Sequence, residues 1–357
     1  KKEQSMVIKG NDAYSCLEKI SRRKFLKIAS LTSAGLLTGC DPFLGGEGTL
    51  ALVNGILIDG TGTEALLDGS VVIRDRRIIA SGTPEQVQIP IDAHIIDVQR
   101  GTILPGFINT HVHSAYSSEA LKIWARGGVT TVRDLGASKP YSKELFKTRN
   151  TLNDTPKCSR LVAVGSFVNV EGGYPIAGWS GNAVTVSSPK EARQAVNRLI
   201  DDGADVIKTA MESGYAFGMS GWPLLSPKAA TALVEAAHGR GKLVTAHVTD
   251  ARDLGRALDA GVDEIAHMVV GNQVLSEKLI SRMVNAGIRW IPTLELWQGV
   301  NRKYPFLNYE SSAIYNLSRF VKAGGEVALG TDFAGAPNIN FNLGMPINEI
   351  KCMSKAG

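Results

Sequence analysis

The 357-residue chain has no apolar run near the about 20 residues needed to cross a bilayer as a helix. It has four cysteines, Cys16, Cys40, Cys158 and Cys352, and no Cys-x-x-Cys pair. Cys16 and Cys40 fall in the leading segment, and the two that remain make no disulfide framework; without a Cys-x-x-Cys pair nothing suggests a dithiol redox centre or a four-cysteine zinc site. No Gly-x-Gly-x-x-Gly follows the early strand runs, so a dinucleotide fold has no support. There is no internal repeat and no low-complexity segment. Charge of one sign is also missing from the body. The formal +5 is carried by residues 1–40, with eight Lys/Arg against three Asp/Glu, and residues 41–357 hold 31 of each sign. A balanced body gives no electrostatic reason to expect nucleic acid as a partner. Hydrophobic content of 44% is that of an ordinary globular protein.

The first forty residues carry an address. Ser21-Arg22-Arg23-Lys24-Phe25-Leu26-Lys27 precedes a short apolar stretch over 28–37, and Leu37-Thr38-Gly39-Cys40 follows. A basic region, a short apolar region and small residues at a cut site describe a secretory signal. The paired arginines resemble the twin-arginine export signal, and Leu-Thr-Gly-Cys resembles a lipobox. The expectation is a leader over 1–40 and a lipid on Cys40 that anchors the protein to a bacterial cell envelope, on its periplasmic or extracytoplasmic face. Asp41 resembles an inner-membrane retention residue. The alternative is an ordinary amphipathic first helix.

The body alternates strand with helix. Residues 50–57 and 70–81 are β-rich runs and read as strands of a small β domain over 48–100. From residue 102, short apolar runs at 103–108, 130–133, 161–164, 206–209, 243–246, 264–266, 290–293 and 327–330 alternate with amphipathic stretches such as 190–202, 227–240 and 277–286. Buried parallel strands read as continuous apolar runs. Eight of them separated by helices predict an α/β fold, a (β/α)₈ TIM barrel over 101–357. A doubly wound open sheet is the alternative.

Histidine is scarce, and its positions are uneven. Four of the six, His111, His113, His247 and His267, fall at the ends of strand runs. Asp332 ends the last run, and Lys208 lies on the fourth. In such a barrel the C-terminal strand ends converge on one mouth. Residues i and i+2 of a strand share a face, so His111 and His113 can grip one ion. Imidazole and carboxylate suit zinc or a similar first-row ion. A lone strand-end histidine is more often packed or hydrogen-bonded than liganding; a whole set of polar residues at one mouth is hard to explain as packing. His94, in a β run, and His238, on a helix, read as structural or exposed. A lysine buried at the mouth loses its charge readily, and a neutral amine can take up carbon dioxide as a carbamate that bridges two cations. A plain or salt-bridged lysine is the alternative.

Leu104-Pro105-Gly106-Phe107-Ile108-Asn109-Thr110-His111-Val112-His113 resembles the first metal motif of the amidohydrolase superfamily. Gly-Val-Thr-Thr-Val-Arg-Asp at 128–134 and Glu-Ala-Ala-His-Gly-Arg-Gly at 235–241 extend the resemblance. The order His-x-His, Lys, His, His, Asp is similar to the binuclear subtype with a carbamylated lysine, nearest the prolidase-like and imidazolonepropionase-related branches. The resemblance implies two divalent ions, expected as Zn²⁺. His111, His113 and Asp332 would hold the more buried ion, and His247 and His267 the second. Carbamylated Lys208 and a hydroxide would bridge them. Asp332 would take the proton of that hydroxide and pass it to the leaving amine. The resemblance also implies a longer C-terminal tail, which makes the β domain an incomplete β-sandwich and the chain, ending in helix 8, a truncated and marginally stable one.

The reading is therefore a metal-dependent amidohydrolase acting on an amide C–N bond of a small molecule, a dipeptide or an N-acyl amino acid. Hydrolysis of a cyclic amide, lactone or phosphoester is the second enzyme reading, and an inactive membrane-tethered binding protein is the reading from another class. Tyr116, Arg133, Tyr215 and Trp297 follow or end strands and are candidates to face substrate. Arg133 could clamp a carboxylate, and an ion pair with an acid inside the barrel is its equal alternative.

Overall fold

The computed structural model describes residues 48–136, 139–271, 273–335 and 339–357. The leader expected over 1–40, with Cys40, lies outside the described residues. The chain forms two compact units, divided between Pro105 and Gly106.

The first unit holds β1 (Thr49–Leu57), β2 (Leu66–Arg74), β3 (Arg77–Gly82), β4 (His94–Asp97) and β5 (Thr102–Ile103). They form one sheet in the order β3-β2-β1-β4, with β5 also on β1. Ala51, Val72 and Val87 make one small core and Leu57, Val71 and Ile103 another. The run expected over 70–81 is two antiparallel strands rather than one, because Asp75 (φ 49°) and Arg76 (φ 63°) reverse the chain. Two consecutive positive φ values make the tight hairpin turn that matches strand twist. Asp-Arg lacks the glycine that announces such a turn in a sequence.

The second unit is built of parallel strands and the helices between them. β6 (Phe107–Val112), β7 (Val129–Asp134) and β8 (Arg160–Ala163) form a three-stranded sheet in that order. The remaining strands are β9 (Phe167–Asn169), β10 (Ala183–Thr185), β11 (Ile207–Ala210), β12 (Val244–His247), β13 (Glu264–Ala266), β14 (Arg289–Ile291) and β15 (Glu326–Val327). They form a seven-stranded sheet ordered β10-β9-β11-β12-β13-β14-β15. Hydrogen bonds tie the two sheets together at both sides. Thr110 N donates to Leu329 O and His113 N to Phe333 O, each at 2.8 Å, and Asp205 N donates to Ala163 O at 2.9 Å.

The helices are α1 (Ser118–Arg126), α2 (Glu144–Asn153), α3 (Pro189–Asp202), α4 (Pro227–His238), α5 (Ala251–Ala260), α6 (Glu277–Asn285), α7 (Leu294–Lys303), α8 (Tyr309–Lys322) and α9 (Ile347–Ala356). Ser117, Ser188, Ser226, Asp250 and Ser276 cap α1, α3, α4, α5 and α6 with their side-chain oxygens. Proline opens α3 and α4, where its missing N–H is harmless. α3 buries Ala192, Val196 and Leu199, one stripe at helical spacing. All four residues of β11 and of β12 are buried, as expected for strands covered on both sides.

Two strand boundaries differ from expectation. The first apolar run, 103–108, belongs to two units: Thr102–Ile103 pairs with β1, and β6 begins at Phe107. Pro105 removes a ladder donor. A Cβ on Gly106 would sit 2.2 Å from the Thr130 side chain. The last run, 327–330, shortens to β15 and continues as irregular backbone toward Asp332.

Candidate metal centre

β6 places His111 within the strand and His113 one residue beyond it, both buried. Their Nε2 atoms lie 3.3 Å apart. Asp332 brings Oδ1 to 3.1 Å from His111 Nε2 and 3.0 Å from His113 Nε2. The segment after β15 is held against β6 by Asn109 Nδ2, which donates to Thr331 Oγ1 at 3.0 Å, and by Asp332 N, which donates to His111 O at 2.9 Å. Gly330 permits this approach, since a Cβ there would lie 2.3 Å from Ile291 and 2.9 Å from His111.

His267 follows β13 and ends with its ring centroid 4.8 Å from that of His111 and 4.4 Å from that of His247. His111, His267 and Asp332 each offer a ligand atom within 4.8 Å of the others. His247 closes β12, stacked on Tyr174 at 3.9 Å, with Nε2 3.5 Å from Glu212 Oε2. Lys208 on β11 is fully buried, and its Nζ has no hydrogen-bond partner among the described residues.

Burial decides the charge states. It pushes the His111 imidazolium down to about 3, and it holds His267 well below and His247 below the usual histidine value. Burial also brings Lys208 down to about 7, helped by the charge of Arg133 and opposed by Asp332 and Glu264. Burial opposes the charged form of Asp332 too, but His111, His113 and His267 outweigh it and hold that carboxyl well below the usual range. His113 is the exception: burial lowers it, but the hydrogen bond and charge of Asp332 overcome that and raise it.

Other groups orient these side chains. His113 Nδ1 lies 2.5 Å from Gly136 O. Asp134 fixes that turn by accepting from Ala115 N at 3.0 Å and Gly136 N at 2.9 Å. Thr293 Oγ1 is 2.9 Å from His267 Nδ1. Glu212, fully buried, accepts from Thr249 Oγ1 at 2.5 Å and Gly214 N at 2.7 Å. Sequence reasoning missed Glu212, Tyr174, Asp134 and Thr293. An acid at Glu212, four residues after the lysine and directly after the apolar Ala210-Met211, was the one available signal.

The candidate substrate residues are more scattered. Arg133 is buried, with its guanidinium 2.8 Å from Glu264 and its Nε donating to Thr110 O at 2.8 Å. Tyr116 lines a cavity of about 60 Å³ with Ser114, Asp134 and Lys139, its hydroxyl buried without a partner among the described residues. Tyr215 is exposed on a short turn, under the Arg252 guanidinium at 3.8 Å from the ring centre. Trp297 is buried on α7, its ring 6.0 Å from His267. His238 sits apart at the end of α4, paired with Asp263 at 2.9 Å, and His94 is exposed at the start of β4.

Residues 102–353 match the amidohydrolase family. The chain belongs to that family. Ochratoxinase of Aspergillus niger is 25% identical to this amidohydrolase in an alignment 343 positions long that covers 79% of this chain and 69% of the relative. A crystal structure of a Xaa-Pro dipeptidase with methionine in its active site has a TM-score of 0.69 at 22% identity, covering 87% of this chain and 84% of that one. A putative prolidase from Bifidobacterium longum gives 0.66 at 23% identity, covering 87% and 81%. These neighbours share the fold of this chain. The protein is a hydrolase acting on C–N bonds.

The family binds divalent metals, and the residues here fit such an ion. The imidazoles of His111 and His267, kept neutral by burial, retain the lone pairs that a metal needs, and Asp332 adds a buried carboxylate. Among the described residues Lys208 Nζ has no hydrogen-bond partner, and His247 Nε2 has none closer than the Glu212 carboxylate at 3.5 Å, so both atoms are available to a metal site.

Proposed function

We propose that this amidohydrolase cleaves the amide bond of a dipeptide or an N-acyl amino acid at a centre for two divalent ions, zinc by donor type. The observation that carries the reading is the buried convergence of His111, His113, His267 and Asp332, with Asp332 Oδ1 within 3.1 Å of two imidazole nitrogens. The residues that would hold the ions are His111, His113 and Asp332 for one and His247 and His267 for the other, with Lys208 between. Bound there, the metals would supply an activated water and polarise the scissile carbonyl. Asp332, held ionised, accepts the proton of the attacking water and returns it to the departing amine nitrogen. Gly136 O and Thr293 Oγ1 fix the rings of His113 and His267, so both stay aimed at the centre as charge moves.

Lys208 acts as a carbamate in this reading. Its Nζ adds to carbon dioxide and loses a proton, which turns an amine into an anion. Complete burial and the lack of a hydrogen-bond partner among the described residues support this, because an ammonium there would face two cations. The bonds joining the two parallel sheets support one closed (β/α)₈ barrel with the centre at its mouth. The leader over 1–40 would place the enzyme on the outer side of a membrane, tethered through lipid on Cys40.

The test is metal analysis of the purified protein with a screen against dipeptides and N-acyl amino acids. About two equivalents of zinc and turnover of one of these classes is the expected result. Metal-free protein that resists metal loading, or turnover of none of them, would refute the proposal.

A further inference from the structure

α7 starts in an unusual way. Its N-cap is Thr293, a residue whose hydroxyl ordinarily caps the first turn. Here the hydroxyl makes no cap bond and instead lies 2.9 Å from His267 Nδ1. The backbone of Thr293 sits at φ 47° and ψ 47°, a left-handed conformation that is a real outlier for a β-branched residue. Two of the first-turn amides left without a cap are taken by one residue, 55 and 54 positions away. Glu349 Oε1 accepts from Leu294 N at 2.9 Å, and Glu349 Oε2 from Glu295 N at 2.6 Å. Glu349 is fully buried on α9, and Asn348 beside it donates to Glu295 Oε1 at 3.1 Å.

Each fact explains the next. A strained residue persists only where its surroundings over-determine it. Glu349 supplies that constraint from one side by doing the capping that Thr293 gives up. His267 takes the freed hydroxyl on the other side. In either protonation state both carboxyl oxygens of Glu349 can accept; the amide nitrogen of a glutamine cannot.

We propose that Glu349 is a positioning residue for the metal centre: it caps α7 in place of Thr293, and so frees the Thr293 hydroxyl to orient the His267 ring. This rests on the metal-centre reading above, but its test begins without metal. The ring ¹⁵N signals of His267, assigned by their loss in His267→Asn, are recorded in metal-free protein. Zinc affinity is then measured by chelator competition. Thr293→Val, which keeps shape and removes the hydroxyl, should shift the His267 Nδ1 signal and weaken zinc binding at least about tenfold, whereas Thr293→Ser should do neither. Glu349→Gln should shift the same signal and weaken zinc binding severalfold. In a Thr293→Val background Glu349→Gln should add nothing, because the link is already cut. An unmoved His267 signal in Thr293→Val would overturn the proposal even if Glu349→Gln failed to fold. So would a Glu349→Gln effect of equal size in both backgrounds, which is what a merely structural glutamate gives. Failure of the wild-type protein to bind zinc, with the ring signals moving as stated, would refute the metal centre and leave the positioning in place.

Discussion

Arg133 on β7 and Glu264 on β13 form an ion pair of 2.8 Å, with both side chains less than a tenth exposed. Glu264 also accepts from Thr245 Oγ1 at 2.5 Å, so three strands meet at one carboxylate. Breaking such a pair leaves a bare buried charge, whereas removing both charges does not. Arg133→Met should lower unfolding free energy by about 3–5 kcal/mol, and Arg133→Met with Glu264→Gln should recover most of the loss. Denaturant titration checks this. A single variant of wild-type stability with a raised KM alone would instead assign Arg133 to substrate.

His111→Ala and His247→Ala should each lower bound metal and reduce turnover at least about a hundredfold, while His238→Ala should leave both near wild type. His111 and His247 belong to the buried cluster, and His238 is spent on Asp263 at 2.9 Å. Metal analysis and kinetics of the three proteins decide the matter. Equal loss in all three would break the assignment.

Lys208→Ala should be inactive and regain part of its turnover when short carboxylic acids are added, because a free carboxylate can take the place of a carbamate between two cations. Lys208→Ala that is fully active and metal-replete without such an acid would remove the carbamate from the mechanism.

Stability should depend on pH through Glu349. Burial raises this carboxyl from 4.5 to about 8, against the two backbone amides that lower it and with the charge of Glu295 assisting the rise. Between those values the unfolded chain has lost the proton and the folded chain keeps it. The folded state therefore binds more protons, and its stability falls as pH rises through this window, by up to about 1.4 kcal/mol per pH unit. Glu349→Gln, which cannot ionise, should flatten that slope. Thermal melts from pH 5 to 8 that are parallel for the two proteins would show that Glu349 is ionised throughout.

The candidate ligands were legible because imidazole is rare in this chain and strand ends are easy to find. His111, His113, His247, His267 and Asp332 needed only the alternation of apolar runs. What surrounds them was not legible. Tyr174 reaches His247 from the loop between β9 and β10, and no periodicity predicts where a loop returns. The Thr293 hydroxyl points at His267 because of a backbone conformation that its residue type disfavours, so propensity argues against it. The division at Pro105 is not legible because apolar residues run through it without a break; only the missing N–H and the absent Cβ of Gly106 divide them.

His267 and Asp332 both hold backbone conformations with positive φ, at 73° and 62°. Each such residue is strained by about 1–3 kcal/mol, and glycine or asparagine would relieve it. Two of the proposed ligands thus stand on backbone that a side chain makes harder to hold. Replacing either residue by glycine should therefore ease the backbone while removing a proposed ligand, so that stability and metal binding move in opposite directions.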